Sequence, residues 1–152
     1  MDELVTSLRI ALANTFVMYF KVHQFHWNVE GADFPQWHGF LGDLYEDVYG
    51  AVDPLAENIR KLDAYAPRTL EEMWNHKTIP ETTGDVKDIQ GILNEIQKAN
   101  LEVLASLKKA YDLGEENKTY GLCNFLADRI DTHEKHSWML KASMKWRHLS
   151  LS

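Results

Sequence analysis

Proline and glycine are scarce in this chain, together supplying 12 of 152 residues where globular sequences average roughly 12%. No proline occurs in residues 1–34 or 81–152, so both ends lack the residue that most reliably interrupts a helix. Cysteine is nearly absent too. Cys123 stands alone, which excludes an intrachain disulfide scaffold. Long apolar runs are missing: the longest uncharged stretch, Ile10–Phe20, has 11 residues, short of the ~20 that cross a bilayer. Basic charge is in deficit, with 16 Lys+Arg against 23 Asp+Glu and a net charge of -7, which disfavours a general nucleic-acid binder. The opening Met1-Asp2-Glu3 is acidic where a secretory signal is basic, and the expectation is a cytoplasmic protein.

The sequence does have helical periodicity. Leu4, Leu8, Ala11, Tyr19, Val22 and His26 recur at helical spacing, predicting a first helix over 2–28. Its middle is apolar on nearly every side, which suits burial in a bundle together with a subunit contact. Gly31-Ala32-Asp33 interrupts the pattern, with Asp33 as N-cap and Pro35 in the first turn of the next helix. This second helix, of roughly 30 residues, is expected along Trp37, Leu41, Leu44, Val48, Val52, Leu55, Ile59 and Leu62. Residues 64–84 hold Pro67, Pro80 and Gly84 around a patch of Leu70, Met73 and Trp74, a long crossover with one small helix. Asp85 is read as the cap of a third helix carrying Ile89, Leu93, Ile96, Val103, Leu107 and Ala110, and Gly114 as its end. A polar turn over 115–118 leads to a fourth helix through Leu126, Ile130, His133, Ser137, Leu140 and Met144. Four long helices with a single long crossover define an all-α, ferritin-like four-helix bundle with a short extra helix between the second and third.

The ligand pattern departs from the usual di-iron bundle, because Glu-x-x-His occurs nowhere. Instead His26, His38, Asp53 and Glu57 cluster on the first two helices. Asp53 and Glu57, four apart, face the same way on a continuous helix, and imidazole with carboxylate suits iron or zinc. His38 and Asp53 lie about 22 Å apart along one helix axis, so one subunit cannot gather all four. A single site needs two chains meeting antiparallel, and a twofold contact then makes two identical sites.

The run His26-Trp27-Asn28-Val29-x-Gly31-x-x-Phe34-x-x-x-His38, then Asp53-x-x-x-Glu57, resembles the signature of the Dps family, the miniferritins of starved cells. His133-Glu134-Lys135-His136-x-Trp138-Met139-Leu140 is similar to the family's last helix. The likeness covers nearly the whole chain and implies one Dps-type domain over 1–152. It implies a cytoplasmic dodecamer, a hollow shell with ferroxidase sites at twofold interfaces. His26 and His38 would come from one chain, Asp53 and Glu57 from its neighbour. Fe(II) and hydrogen peroxide, or oxygen, would be the substrates, iron the bound metal, and ferric mineral the stored product. Three positions depart from the family pattern. Gly42 stands where many members carry a further acidic ligand, with Asp43 beside it about 100° away. Pro54, with Gly50, is set to bend the second helix beside the carboxylates. Asn124 occupies a position that family shells make acidic along the iron pathway, leaving Asp128 and Glu116 as substitutes.

Each residue has an ordinary reading beside the functional one. Asp53-Pro54 is a good N-cap followed by a first-turn proline. His23 reads as a packing or surface residue, His136 as an interface or packing residue, His133 as a hydrogen-bonded core histidine, and Cys123 as a small buried hydrophobe. Trp27 is a packing group that the resemblance places beside the iron site, where it could intercept a radical. Trp138 is likewise a packing or interface residue. The basic cluster Lys135, Lys141, Lys145, Arg147 and His148 complements the end of a helix macrodipole. Direct DNA binding is therefore not the favoured expectation. The alternatives are a ferroxidase-impaired shell acting as a structural or DNA-condensing particle, and a monomeric or dimeric helical module without metal.

Overall fold

A computed structural model describes residues 1–81, 86 and 88–150, the last six as helix backbone only. The chain order is α1 (Asp2–Asn28), α2 (Phe34–Gly50), α3 (Val52–Lys61), α4 (Leu70–His76), α5 (Ile89–Glu116) and α6 (Tyr120–Ser150). The described residues contain no strand. The four-helix bundle is formed by α1, the α2–α3 pair, α5 and α6, with α4 in the crossover. Helix α1 is the hub: it packs against α5, α2, α3 and α4. That is why its middle is apolar all round. Ala11, Leu12, Ala13, Val17 and Met18 are all buried within the chain's own core, leaving Phe16 and Tyr19 half-buried and Phe20 half exposed. The surface available to a second subunit is thus narrower than the sequence suggested.

Four local expectations are corrected. The long second helix is divided into two at Ala51, a single residue that keeps right-handed dihedrals (φ -82°, ψ -16°) while its N–H bonds to the Val48 carbonyl at 3.1 Å. Pro54 has no N–H to donate to the Gly50 carbonyl, and its ring crowds that carbonyl. Asp53 is not the N-cap of α3. Ala51 occupies that place, and Asp53 lies in the first helical turn, where its charge meets the positive end of the dipole. Gly114 does not end α5, which runs to Glu116. Gly114 is buried there in a close contact, where a β-carbon would lie 3.1 Å from both Cys123 Sγ and Thr119 Oγ1. The turn is made instead by Asn117–Thr119, with Lys118 at φ 58°. Asp88 caps α5 by accepting from Gly91 N at 2.7 Å, and Asp85 lies outside the described residues. Asp33 does stand at the N-cap of α2 as expected, at φ 64° and without a side-chain cap bond.

Two polar anchors hold the bundle's longer connections. Asn14, fully buried on α1, accepts from the backbone N–H of Thr78 at 2.8 Å and of Ile79 at 3.3 Å, fastening the crossover. The second anchor joins α2 to α6. Arg129 donates to both Asp47 oxygens at 3.1 and 3.0 Å, and His136 Nε2 donates to the same carboxylate at 2.7 Å. Arg129 Nη2 also donates to His133 Nε2 at 2.9 Å. Guanidinium only donates, so Nε2 accepts and Nδ1 carries the hydrogen given to Asn100 Oδ1 on α5, 2.8 Å away. His133, expected as a hydrogen-bonded core histidine, is one: it is fully buried and neutral.

Burial, then the charges of Arg129 and His136, depress the His133 pKa to about 3. Burial opposes the charge on Asp47, but hydrogen bonds from His136 and Arg129 outweigh it and hold the carboxyl well below the usual range. The unfolded chain takes up a proton on His133 near pH 6.5 that the folded chain refuses until about pH 3. Stability from this residue is complete above about pH 6.5 and is lost as pH falls below it. Asp47 adds a further loss below about pH 4. Melting temperature should therefore fall as pH is lowered from 7 to about 4.5, and His133→Gln should flatten that slope. Parallel slopes for the two proteins would contradict the assignment.

Candidate metal centre

His26 and His38 are brought together by the reversal between α1 and α2. Gly31 sits at φ 107°, a conformation that side chains rarely adopt, and Phe34 N donates to its carbonyl at 3.2 Å. Val29 is buried and pins the turn to the core. The last turn of α1 therefore lies beside the start of α2, and the two imidazoles stack at 3.7 Å between centroids with 18° between planes. Each ring is held by the other's backbone. His26 Nδ1 donates to the His38 carbonyl at 2.7 Å, and His38 Nδ1 donates to the His26 carbonyl at 2.8 Å. A carbonyl oxygen only accepts, so each Nδ1 must carry its proton, and in the neutral ring each Nε2 keeps its lone pair. Among the described residues neither Nε2 has a hydrogen-bond partner. This is the arrangement of a metal-ligating histidine whose second nitrogen is fixed by a backbone carbonyl.

Asp53 and Glu57 lie on the unbroken helix α3, four residues apart and both exposed. Neither carboxylate has an ion-pair or hydrogen-bond partner among the described residues. Within one chain the four candidate ligands form two separate pairs, and no group of three or more His, Cys, Asp or Glu side chains converges among the described residues. This is the arrangement the helix spacing requires of a single subunit. Gly42 has a positive role beside His26. A β-carbon there would lie 3.1 Å from Cε1 and 3.3 Å from Nδ1 of that ring, so the absent side chain is what lets the imidazole pack against α2.

An aromatic shell surrounds the pair, and periodicity alone does not single it out. Phe34 stacks on His38 at 5.0 Å. Tyr45 lies 5.2 Å from His26 and stacks on His23 at 3.8 Å. His23 is also 4.3 Å from Trp27 and hydrogen bonds through Nδ1 to the Tyr19 hydroxyl at 2.9 Å. Burial, then the neighbouring His26, push the His23 pKa down. Burial and the adjacent Tyr49 and Tyr45 push the Tyr19 phenol up. His23 thus has the packing role expected of it. Of the basic residues near the end of α6, Lys135 and Lys141 are exposed, while the side chains of Lys145, Arg147 and His148 lie outside the described residues. Asn124 and Asp128 are exposed on α6, and Glu116 is exposed at the end of α5.

Known proteins share this architecture. A profile of the Ferritin family, the ferritin-like domain, matches residues 5–145. The DNA protection during starvation protein of Brevibacillus brevis is 31% identical over 138 residues, covering 88% of this chain and 89% of its own length. The crystal structure of a Dps protein from Bacillus brevis superposes with a TM-score of 0.87 at 29% identity, covering 94% of this chain and 95% of that one. The Dps protein of Vibrio cholerae O1, described as one of a broad superfamily of ferritin-like diiron-carboxylate proteins, gives 0.88 at 26% identity over 94% and 89% of the two chains. The chain therefore belongs to the ferritin-like family and, within it, to the Dps miniferritins. No helix among the described residues is long and apolar enough to cross a membrane.

The fit at Gly42 is testable without any metal. His26 is clamped by its carbonyl bond and by the stacked His38 ring, so it cannot yield the space a methyl group needs. Gly42→Ala should shift the ring resonances of both histidines and lower stability by about 1–3 kcal/mol. Unchanged ring resonances would show that the site has slack.

Proposed function

We propose that the chain is an iron-oxidising, iron-storing miniferritin whose ferroxidase sites lie between subunits. One chain offers the paired imidazole nitrogens of His26 and His38, and its antiparallel neighbour offers Asp53 and Glu57. A twofold contact of this kind makes two such sites at once, and resemblance to the family supplies the dodecameric shell. The observation that carries the reading is the pair of reciprocal ring-to-backbone hydrogen bonds, which leave both Nε2 lone pairs unused. A merely structural histidine pair has no need of two matched tautomers.

The chemistry follows from the donor set. Neutral imidazole and carboxylate suit iron, which here is substrate. The Asp53 and Glu57 charges favour Fe(III) over Fe(II), easing electron loss to peroxide. Two Fe(II) ions give up one electron each, the O–O bond breaks, and with two protons the peroxide leaves as two water molecules. His26 and His38, held from behind by carbonyls, keep their orientation through the change of iron charge. Gly42 offers no carboxylate of its own, so a second iron relies on Asp53, Glu57 and water. The Brevibacillus relative is named for protecting DNA during starvation. Removing Fe(II) and peroxide together gives such protection without touching DNA.

The double substitution Asp53→Ala with Glu57→Ala should abolish fast peroxide-driven oxidation of Fe(II), followed as ferric absorbance by stopped flow. Because both side chains are exposed and unpaired, the assembly should elute unchanged on sizing. Unchanged fast oxidation would overturn the ligand assignment, and wild-type oxidation no faster than buffer would favour the structural-shell alternative.

A further inference from the structure

Three of the chain's five arginines meet at one residue, Tyr65, in the turn that follows α3. Tyr65 is itself 61% exposed. Arg60 Cζ lies 4.6 Å from the centre of its ring and Arg68 Cζ 5.1 Å. Arg9, half-buried on α1, donates through Nε and Nη2 to the Tyr65 carbonyl at 3.1 and 2.8 Å. Arg60 Nη1 donates to the Ala64 carbonyl at 2.9 Å, and the backbone N–H of Arg68 is fixed on Glu72 at 3.0 Å. The ring and the carbonyls position these guanidiniums without neutralising them. Among the described residues none of the three has a carboxylate within ion-pair distance, although Asp63, Glu71 and Glu72 are near in sequence and the chain carries 23 acidic side chains. Like charges gathered at one point repel. A helix dipole favours Arg60 in the last turn of α3, but it does not bring Arg9 and Arg68 there from other elements.

We propose that this cluster is a binding site for a phosphate-type oxyanion, either inorganic phosphate or a small phosphomonoester. Guanidinium forks match phosphate oxygens in shape and in charge. Donors remain for such a ligand: Arg9 Nη1, Arg60 Nε and Nη2, and the whole Arg68 fork have no hydrogen-bond partner among the described residues. The Tyr65 hydroxyl has none there either. A tetrahedral dianion offers four oxygens to donors that approach from three segments of chain, whereas a carboxylate offers two oxygens and one charge. An extended polyanion would have to lie across a chain of net charge -7, while a small anion needs only the cluster. The carbonyl bonds and ring contacts hold the arginines in place beforehand, so less side-chain freedom is lost on binding. No residue of this cluster belongs to the iron ligand set, and the site stands independently of that reading.

The test titrates phosphate calorimetrically into the assembled, metal-free protein in a buffer without phosphate or sulfate. One saturable site per chain is expected, and the melting temperature should rise with phosphate concentration. Arg60→Gln with Arg68→Gln should weaken binding by about tenfold or more and remove that rise. Without phosphate the double variant should melt as wild type does, because both side chains are exposed. Glycerol phosphate separates the two sources: binding tighter than that of inorganic phosphate assigns the site to a phosphomonoester, and weaker binding assigns it to the free ion. A wild type that takes up no phosphate, equal affinity in the double variant, or a short DNA duplex bound at these arginines where phosphate is not, would each overturn the proposal.

Discussion

Two hydrogen bonds, each from an imidazole Nδ1 to the other residue's carbonyl, govern what this bundle offers to a ligand. The bonds of His26 and His38 do three things together. They tie the end of α1 to the start of α2 across the turn at Gly31. They set the tautomer of both rings, and they leave a pair of lone pairs available where α1 and α2 meet. The neighbouring features serve this pair. Gly42 gives His26 the space to lie against α2, Phe34 backs His38, and Tyr45 with His23 fills the other flank.

The carboxylate half of the proposed site is positioned by a different constraint. Pro54 cannot continue the hydrogen-bond ladder of α2, so the chain restarts as α3 and carries Asp53 and Glu57 on its first two turns. The break puts Asp53 near a helix N-terminus, where a negative charge is favoured. Meanwhile the Asp47–Arg129–His136–His133–Asn100 network holds α2, α5 and α6 in register. Each half of the site is therefore anchored to the bundle independently of the other. That arrangement is compatible with two subunits completing one site without either rearranging.

Much of this is legible in the sequence, for identifiable reasons. The helices appear because the stripes of α1, α5 and α6 are long and sparsely interrupted, and the His26–His38 and Asp53–Glu57 spacings carry the ligand pattern. Pro54 gives notice of a bend, but not that the regular helix lapses at the single residue Ala51. Gly114 reads as a helix end because glycine ends helices and also fills tight contacts, and only the positions of Cys123 and Thr119 distinguish the two. The Arg129–Asp47 pair spans 82 residues of sequence and has no local signature. Tyr19 looks like an ordinary stripe residue, since nothing in its spacing reveals that its hydroxyl meets His23.

The central claim is that each functional site is shared between two chains, and complementation tests it most directly. One variant would carry His26→Ala and His38→Ala, the other Asp53→Ala and Glu57→Ala, and each assembly alone should be inactive. When the two are unfolded together and co-assembled, every mixed interface joins an intact histidine pair to an intact carboxylate pair. The account predicts that rapid peroxide-driven iron oxidation returns in the mixed assembly. Mixed assemblies as inactive as their parents, with both chains shown to be present, would contradict it.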